Sequence, residues 1–186
     1  MRFVLPILVG LAAHSAHADG CPAAPDHADT LAELVSQIQA AETEVEARLI
    51  SNRMWEYWAD APDEPAQELL DRGMERRAAY DFLAAYEALD RLVAYCPDYA
   101  EGYNQRAFVS YLRQDFPAAL DDLDRALALS PDHIAALSGR ALTLLGLQRL
   151  AEARLDMARA LSLNPWLPER GLAAPGGPLA PTGKDI

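Results

Sequence analysis

Residues 97–131 read PDYAEGYNQRAFVSYLRQDFPAALDDLDRALALSP, and residues 131–165 return to the same frame as PDHIAALSGRALTLLGLQRLAEARLDMARALSLNP. Pro97, Pro131 and Pro165 stand 34 residues apart, as do Gly73, Ala107 and Ala141, and again Ala85, Ala119 and Ala153. Leu89, Leu123 and Met157 share one register, and Phe82, Phe116 and Leu150 another. Recurrence at about 34 residues is the signature of stacked helix–turn–helix pairs, each too small to bury its apolar face alone. The frame predicts three units, 66–99, 100–133 and 134–167. In the middle unit Ala100 to Gln114 forms one helix and Phe116 to Leu129 the other. Small residues at 107 and 119 let the pair approach closely, and a proline just past the second helix ends propagation.

Upstream, Thr30-Leu31-Ala32-Glu33 and Thr43-Glu44-Val45-Glu46 both fit a capping box, in which hydroxyl and carboxylate satisfy orphan backbone donors. Leu31, Leu34, Val35 and Ile38 form one apolar stripe, and Ala47, Ile50, Met54 and Trp58 another. These predict a helical hairpin over 29–62 that docks on the first unit and caps it. Trp55, Tyr57 and Trp58 are read as packing aromatics of that dock, with an aromatic ligand box as the sharper reading. Residues 19–28 are a leader, and 168–186 a Pro/Gly-rich tail expected to lack order. No helix follows the third unit to solvate its last face. Either Trp166, Leu167 and Leu172 fold back over it, or the face meets another subunit and makes a homo-oligomer.

Residues 1–18 carry the pattern of a secretory signal: Met1-Arg2, an apolar run from Phe3 to Ala13, and Ala16-His17-Ala18 before the cut. The run is too short for a membrane span. Removing it takes away Arg2 alone and moves the net charge from −12 to −13. Such a surface repels nucleic acid and anionic lipid. The signal predicts export, to a periplasm first and to the exterior second. Cys21 and Cys96 then read as one disulfide closing a loop of about 75 residues, worth roughly 3–4 kcal/mol, or as two thiols with Cys96 buried against Pro97. Their spacing fits neither a redox dithiol nor a zinc site.

The 34-residue register resembles the tetratricopeptide repeat family over residues 66–167. Tyr103, Ala107, Ala119, Leu123, Ala126 and Pro131 carry the likeness in the middle unit, and Leu137, Ala141, Ala153, Ala160 and Pro165 in the third. The first departs from it at Leu92, where a small residue is usual. The resemblance implies an all-α, right-handed superhelical array whose first helices line a concave groove. By register that groove presents Gln67, Leu70, Met74 and Arg77, then Glu101, Asn104, Gln105, Phe108 and Tyr111, then Ala135, Ser138, Leu142 and Leu145. It further implies another protein or peptide as partner, held as an extended segment or helix, with Phe108 and Tyr111 as anchors. Some members grip a partner's C-terminal carboxylate with lysine and asparagine. Leu70, Met74 and Glu101 occupy the matching positions here, so that clamp is absent.

His27 beside Asp26 and Asp29, and His133 after Pro131-Asp132, sit at a helix start and a turn, with no nucleophile, phosphate loop or metal-ligand spacing around them. Asp121, Asp122 and Asp124 read as a solvated acidic face. The expectation is a protein–protein interaction adaptor or assembly factor of the cell envelope, not an enzyme, without cofactor or metal. The alternatives are a structural subunit joined through its end faces and, less favoured, an enzyme or small-ligand binder.

Overall fold

The computed structural model describes residues 20–181; the segment read as a secretory signal lies outside them. Among the described residues the chain forms eight α-helices: α1 (Ala28–Ala40), α2 (Glu44–Trp58), α3 (Glu64–Ala78), α4 (Phe82–Tyr95), α5 (Ala100–Leu112), α6 (Phe116–Leu129), α7 (Ile134–Gly146) and α8 (Leu150–Leu163). A 3₁₀ helix over Pro168–Ala173 follows.

Pairs α3/α4, α5/α6 and α7/α8 are the three units. Asp63, Asp81 and Asp115 start α3, α4 and α6 by accepting the N–H of Ala66, Ala84 and Ala118. Each first helix ends on a left-handed residue: Tyr80, Gln114 and Gln148, again 34 apart, take φ of 62°, 61° and 61°. The N–H of Asp81, Asp115 and Arg149 then bonds back to the carbonyls of Arg76, Ser110 and Leu144, which closes the orphan acceptors of the last turn. The small residues act as the repeat requires. A Cβ on Gly73 would lie 2.5 Å from Leu89 Cγ, so the α3/α4 spacing depends on its absence. The bulk of Leu92 is taken up by Gly102, whose added Cβ would meet Leu92 Cγ at 3.3 Å.

Successive units are pinned by an arginine clamp that also repeats. Arg106 donates through Nε (2.8 Å) and Nη2 (2.6 Å) to Asp122 and through Nη1 (2.6 Å) to Asp90 of the preceding unit. Arg140 does the same with Asp156 (2.7 and 2.8 Å) and Asp124 (2.8 Å). Of the acidic run read as a solvated face, Asp121 and Asp124 are exposed as expected, although Asp124 also holds Arg140 to the middle unit; Asp122 is the correction, buried under Arg106. The forked hydrogen bonds, more than the opposing desolvation, raise the pKa of both guanidinium groups.

The N-terminal hairpin α1/α2 forms as expected, but it does not cap the first unit. At the second start Thr43 Oγ1 accepts the Glu46 N–H and the Glu46 carboxylate accepts the N–H of Glu42, one residue ahead of the cap, while α1 starts at Ala28, ahead of the Thr30 box, with Asp26 accepting the Ala28 N–H. Leu34, Ile38, Ala47, Ile50 and Met54 pack with Leu123, Ala126, Leu127, Ile134, Leu137 and Ala160. The hairpin therefore lies along the edge of the array built by the inter-unit turns. At the third unit Gln39 bonds the Ser162 carbonyl and Asn164 bonds Ser51; at the first, the Tyr99 hydroxyl donates to the Trp58 carbonyl at 2.7 Å. The disulfide reading holds: Cys21 and Cys96 are bonded, with Cα atoms 5.1 Å apart, and tie the leader to the end of α4.

Residues 168–181 of the tail depart from the expectation of disorder; 182–186 lie outside the described residues. Leu179, 2% exposed, packs with Ala141, Leu144, Ala153 and Met157, and Leu172 and Ala173 join it. Leu179 N–H bonds the Leu172 carbonyl, and Arg154 Nε bonds the Ala180 carbonyl. Of the residues expected to fold back, Leu172 does so, while Trp166 and Leu167 pack with the hairpin instead; Leu179, hidden in the Pro/Gly composition, completes the cover of the last helix pair, so the end face left open to a second subunit is occupied by the chain itself.

Candidate functional site

First helices α3, α5 and α7 form one wall of a cavity of about 290 Å³. Met74 and Arg77 come from α3, Phe108 and Tyr111 from α5, and Ser138 and Leu142 from α7; Trp55 of α2 and Glu169 of the tail also border the space. Phe108 remains 44% exposed at its rim. The Arg77 guanidinium lies 4.6 Å from the Phe108 ring centroid and donates through Nη1 to Gln105 Oε1. Burial lowers the Arg77 pKa, with the Glu101 charge opposing that shift.

Six of the nine groove residues named for the first two units line this cavity: Met74, Arg77, Asn104, Gln105, Phe108 and Tyr111. Three do not. Gln67 accepts the Ala61 N–H and donates to Asp71, Leu70 is buried in the core of the first unit, and Glu101 is 2% exposed. Glu101 instead anchors a buried polar network, accepting from Asn104 Nδ2 (3.0 Å), Gln105 Nε2 and His133 Nε2 (2.8 Å). His133 Nδ1 accepts the Ala136 N–H, which assigns the ring proton to Nε2. The Trp58 ring stacks on His133 at 4.3 Å and seals the network from the hairpin side. Asn104 and Gln105 thus border the cavity while their side chains are spent on its wall.

Trp55 and Glu169 were missed as groove residues, because nothing local in either segment says where hairpin and tail dock. Both also border a second cavity of about 320 Å³ between α2 and the tail, together with Ala135 and Ser138 of α7. The two spaces meet at Trp55 and Glu169. Glu169 Oε2 is buried there without a hydrogen-bond partner. Elsewhere His27 Nε2 pairs with Asp60 at 2.7 Å beside Tyr57. Among the described residues no group of three or more His, Cys, Asp or Glu side chains is arranged to hold a metal, and no helix is long and apolar enough to cross a membrane.

No family model matches the sequence, and no curated protein matches it. Solved structures do. The first TPR of Spaghetti (RPAP3), bound to the HSP90 peptide SRMEEVD, is 25% identical, with a TM-score of 0.56 over 57% of this chain and 84% of that one. The Arabidopsis OM64 TPR domain is 20% identical, with a TM-score of 0.57 over 60% of this chain and 92% of that one. The second TPR domain of human RPAP3, in complex with the HSP70 peptide SGPTIEEVD, is 25% identical, with a TM-score of 0.54 over 56% of this chain and 88% of that one. The 34-residue register, the three helix pairs and this likeness together give residues 64–163 the fold of a tetratricopeptide repeat array.

Proposed function

We propose that this chain is an exported adaptor or assembly factor of the cell envelope that holds a segment of another protein in its concave groove. The observation that carries the reading is the groove itself: an aromatic left 44% exposed at the rim of a largely apolar cavity of about 290 Å³. A cavity of that size admits one or two side chains of a partner, not a whole helix. Phe108 and Tyr111 supply rigid contact area, and the Glu101 network holds α5 and α7 in register behind them. The solved repeats bound to SRMEEVD and SGPTIEEVD support peptide binding on this fold. Here Leu70 and Glu101 are buried in the wall, so recognition rests on side chains of the partner and not on its terminal carboxylate.

The Cys21–Cys96 bond supports an oxidising compartment, in agreement with the signal pattern of residues 1–18. Periplasm is the first assignment and secretion the second. Association through the end face of α8 is disfavoured, since Leu172 and Leu179 cover it. Affinity capture from envelope extract with the 19–186 chain tests the reading, beside Phe108→Glu and the surface control Leu155→Glu. Proteins retained by the first and third and lost by the second support it; identical retention by all three overturns it.

A further inference from the structure

We infer that the groove selects a segment carrying a basic side chain next to its apolar anchor, and that Glu169 receives that charge. The inference rests on the groove reading above and specifies its ligand. Glu169 borders both cavities, and in the free chain its half-buried carboxylate keeps Oε2 turned in against the protein with no hydrogen-bond donor. A buried carboxylate oxygen without a donor is costly, and an approaching ammonium or guanidinium group removes that cost. The indole of Trp55 borders the same two cavities, and an aromatic ring beside a carboxylate favours a cation at that place. Of the other charged groups bordering the second cavity, Glu44 at the start of α2 is already paired with Arg170 at 2.9 Å and Arg48 is exposed, so Glu169 is the carboxylate left to a ligand at this place.

The other charged group of the first cavity is Arg77, from the opposite end of the groove, engaged with Gln105 and stacked on Phe108. The groove is therefore polar along its length, cationic toward the first unit and anionic toward the third. A segment lying with its apolar side chain at Phe108 and a lysine or arginine at Glu169 matches that order. The net charge of −12 draws such a partner in from a distance.

The test uses an array of immobilised heptapeptides, each with one central aromatic residue and, two positions away on either side, lysine, glutamine or glutamate in an otherwise fixed sequence. The 19–186 chain, Glu169→Gln and Phe108→Glu are applied in turn, and circular dichroism checks that all three share one helicity. The inference expects the unmodified chain to retain the lysine set at least about tenfold more than the glutamine and glutamate sets. Glu169→Gln abolishes that preference but keeps binding of the glutamine set, and Phe108→Glu loses every set. Phe108-dependent retention without lysine preference, or a preference that survives Glu169→Gln, overturns the inference and leaves the groove reading standing. Retention of no set, or retention indifferent to Phe108→Glu, overturns both.

Discussion

Breaking the Cys21–Cys96 bond is the perturbation with the most to reveal about how the groove is closed. The bond spans 75 residues, a stretch that contains both hairpin helices and the whole first pair of the array. In the chain-entropy treatment, cross-linking a loop of that length restricts the unfolded ensemble by about 4.5 kcal/mol, and loss of a native disulfide costs about 2–5 kcal/mol. For a domain of this size each kcal/mol moves the midpoint by about 2–4 °C, so Cys21→Ser/Cys96→Ser lowers it by about 10 °C. Cys96 is fully buried among Leu89, Leu92 and Tyr99, so a control is needed to separate packing from cross-linking. The assay is thermal unfolding by circular dichroism of the oxidised chain, the reduced chain and the double variant. The cross-link account requires the reduced chain and the variant to melt together, well below the oxidised chain, with the variant indifferent to reductant. Equal midpoints for oxidised and reduced chains refute it.

The arginine clamp gives a second expectation. Arg106→Leu strands the buried Asp122 and costs about 2–4 kcal/mol in urea unfolding, whereas Arg106→Leu/Asp122→Leu recovers most of that loss; equal costs for single and double variants contradict the pairing. Tyr99 sets a pH dependence. Burial first, then the charges of Glu101, Asp60 and Asp71, raises its pKa above the ordinary phenol value. Above about pH 10 the unfolded chain loses the phenolic proton that the folded chain keeps, so stability falls with rising pH. Tyr99→Phe flattens that fall in urea titrations between pH 9 and 11, at a loss of about 1 kcal/mol for the bond to the Trp58 carbonyl; an unchanged slope contradicts the assignment.

The array was legible because its constraints are local and repeated. Small residues at 73, 85, 107, 119, 141 and 153 and prolines at 97, 131 and 165 mark each helix pair and turn within a 34-residue window. The left-handed residues at 80, 114 and 148 and the clamps of Arg106 and Arg140 obey the same period, yet neither announces itself by composition. The site was legible only in part. Register places Glu101, Asn104 and Gln105 on the concave side, but His133, backed by Trp58, closes over Glu101, and that cover depends on where the upstream hairpin docks. Leu34 and Ile38 of α1 share one buried cluster with Ala126 and Ala160, an association with no signal in any of these segments alone. The order of the tail was legible only at Leu172, named as a fold-back residue; Leu179 was hidden because proline and glycine dominate the composition while it acts through a long-range contact with α7 and α8. Glu169 and Trp55 entered the site through those two long-range dockings.

The most direct test of groove recognition places a photo-crosslinking phenylalanine analogue at Phe108 and, in a separate chain, at the exposed Leu155, in cells that make the protein. The account predicts crosslinked products at 108 containing one discrete partner protein, absent from 155 and suppressed when Tyr111→Ala is added. Products that are the same at both positions, or that appear at 155 alone, contradict it.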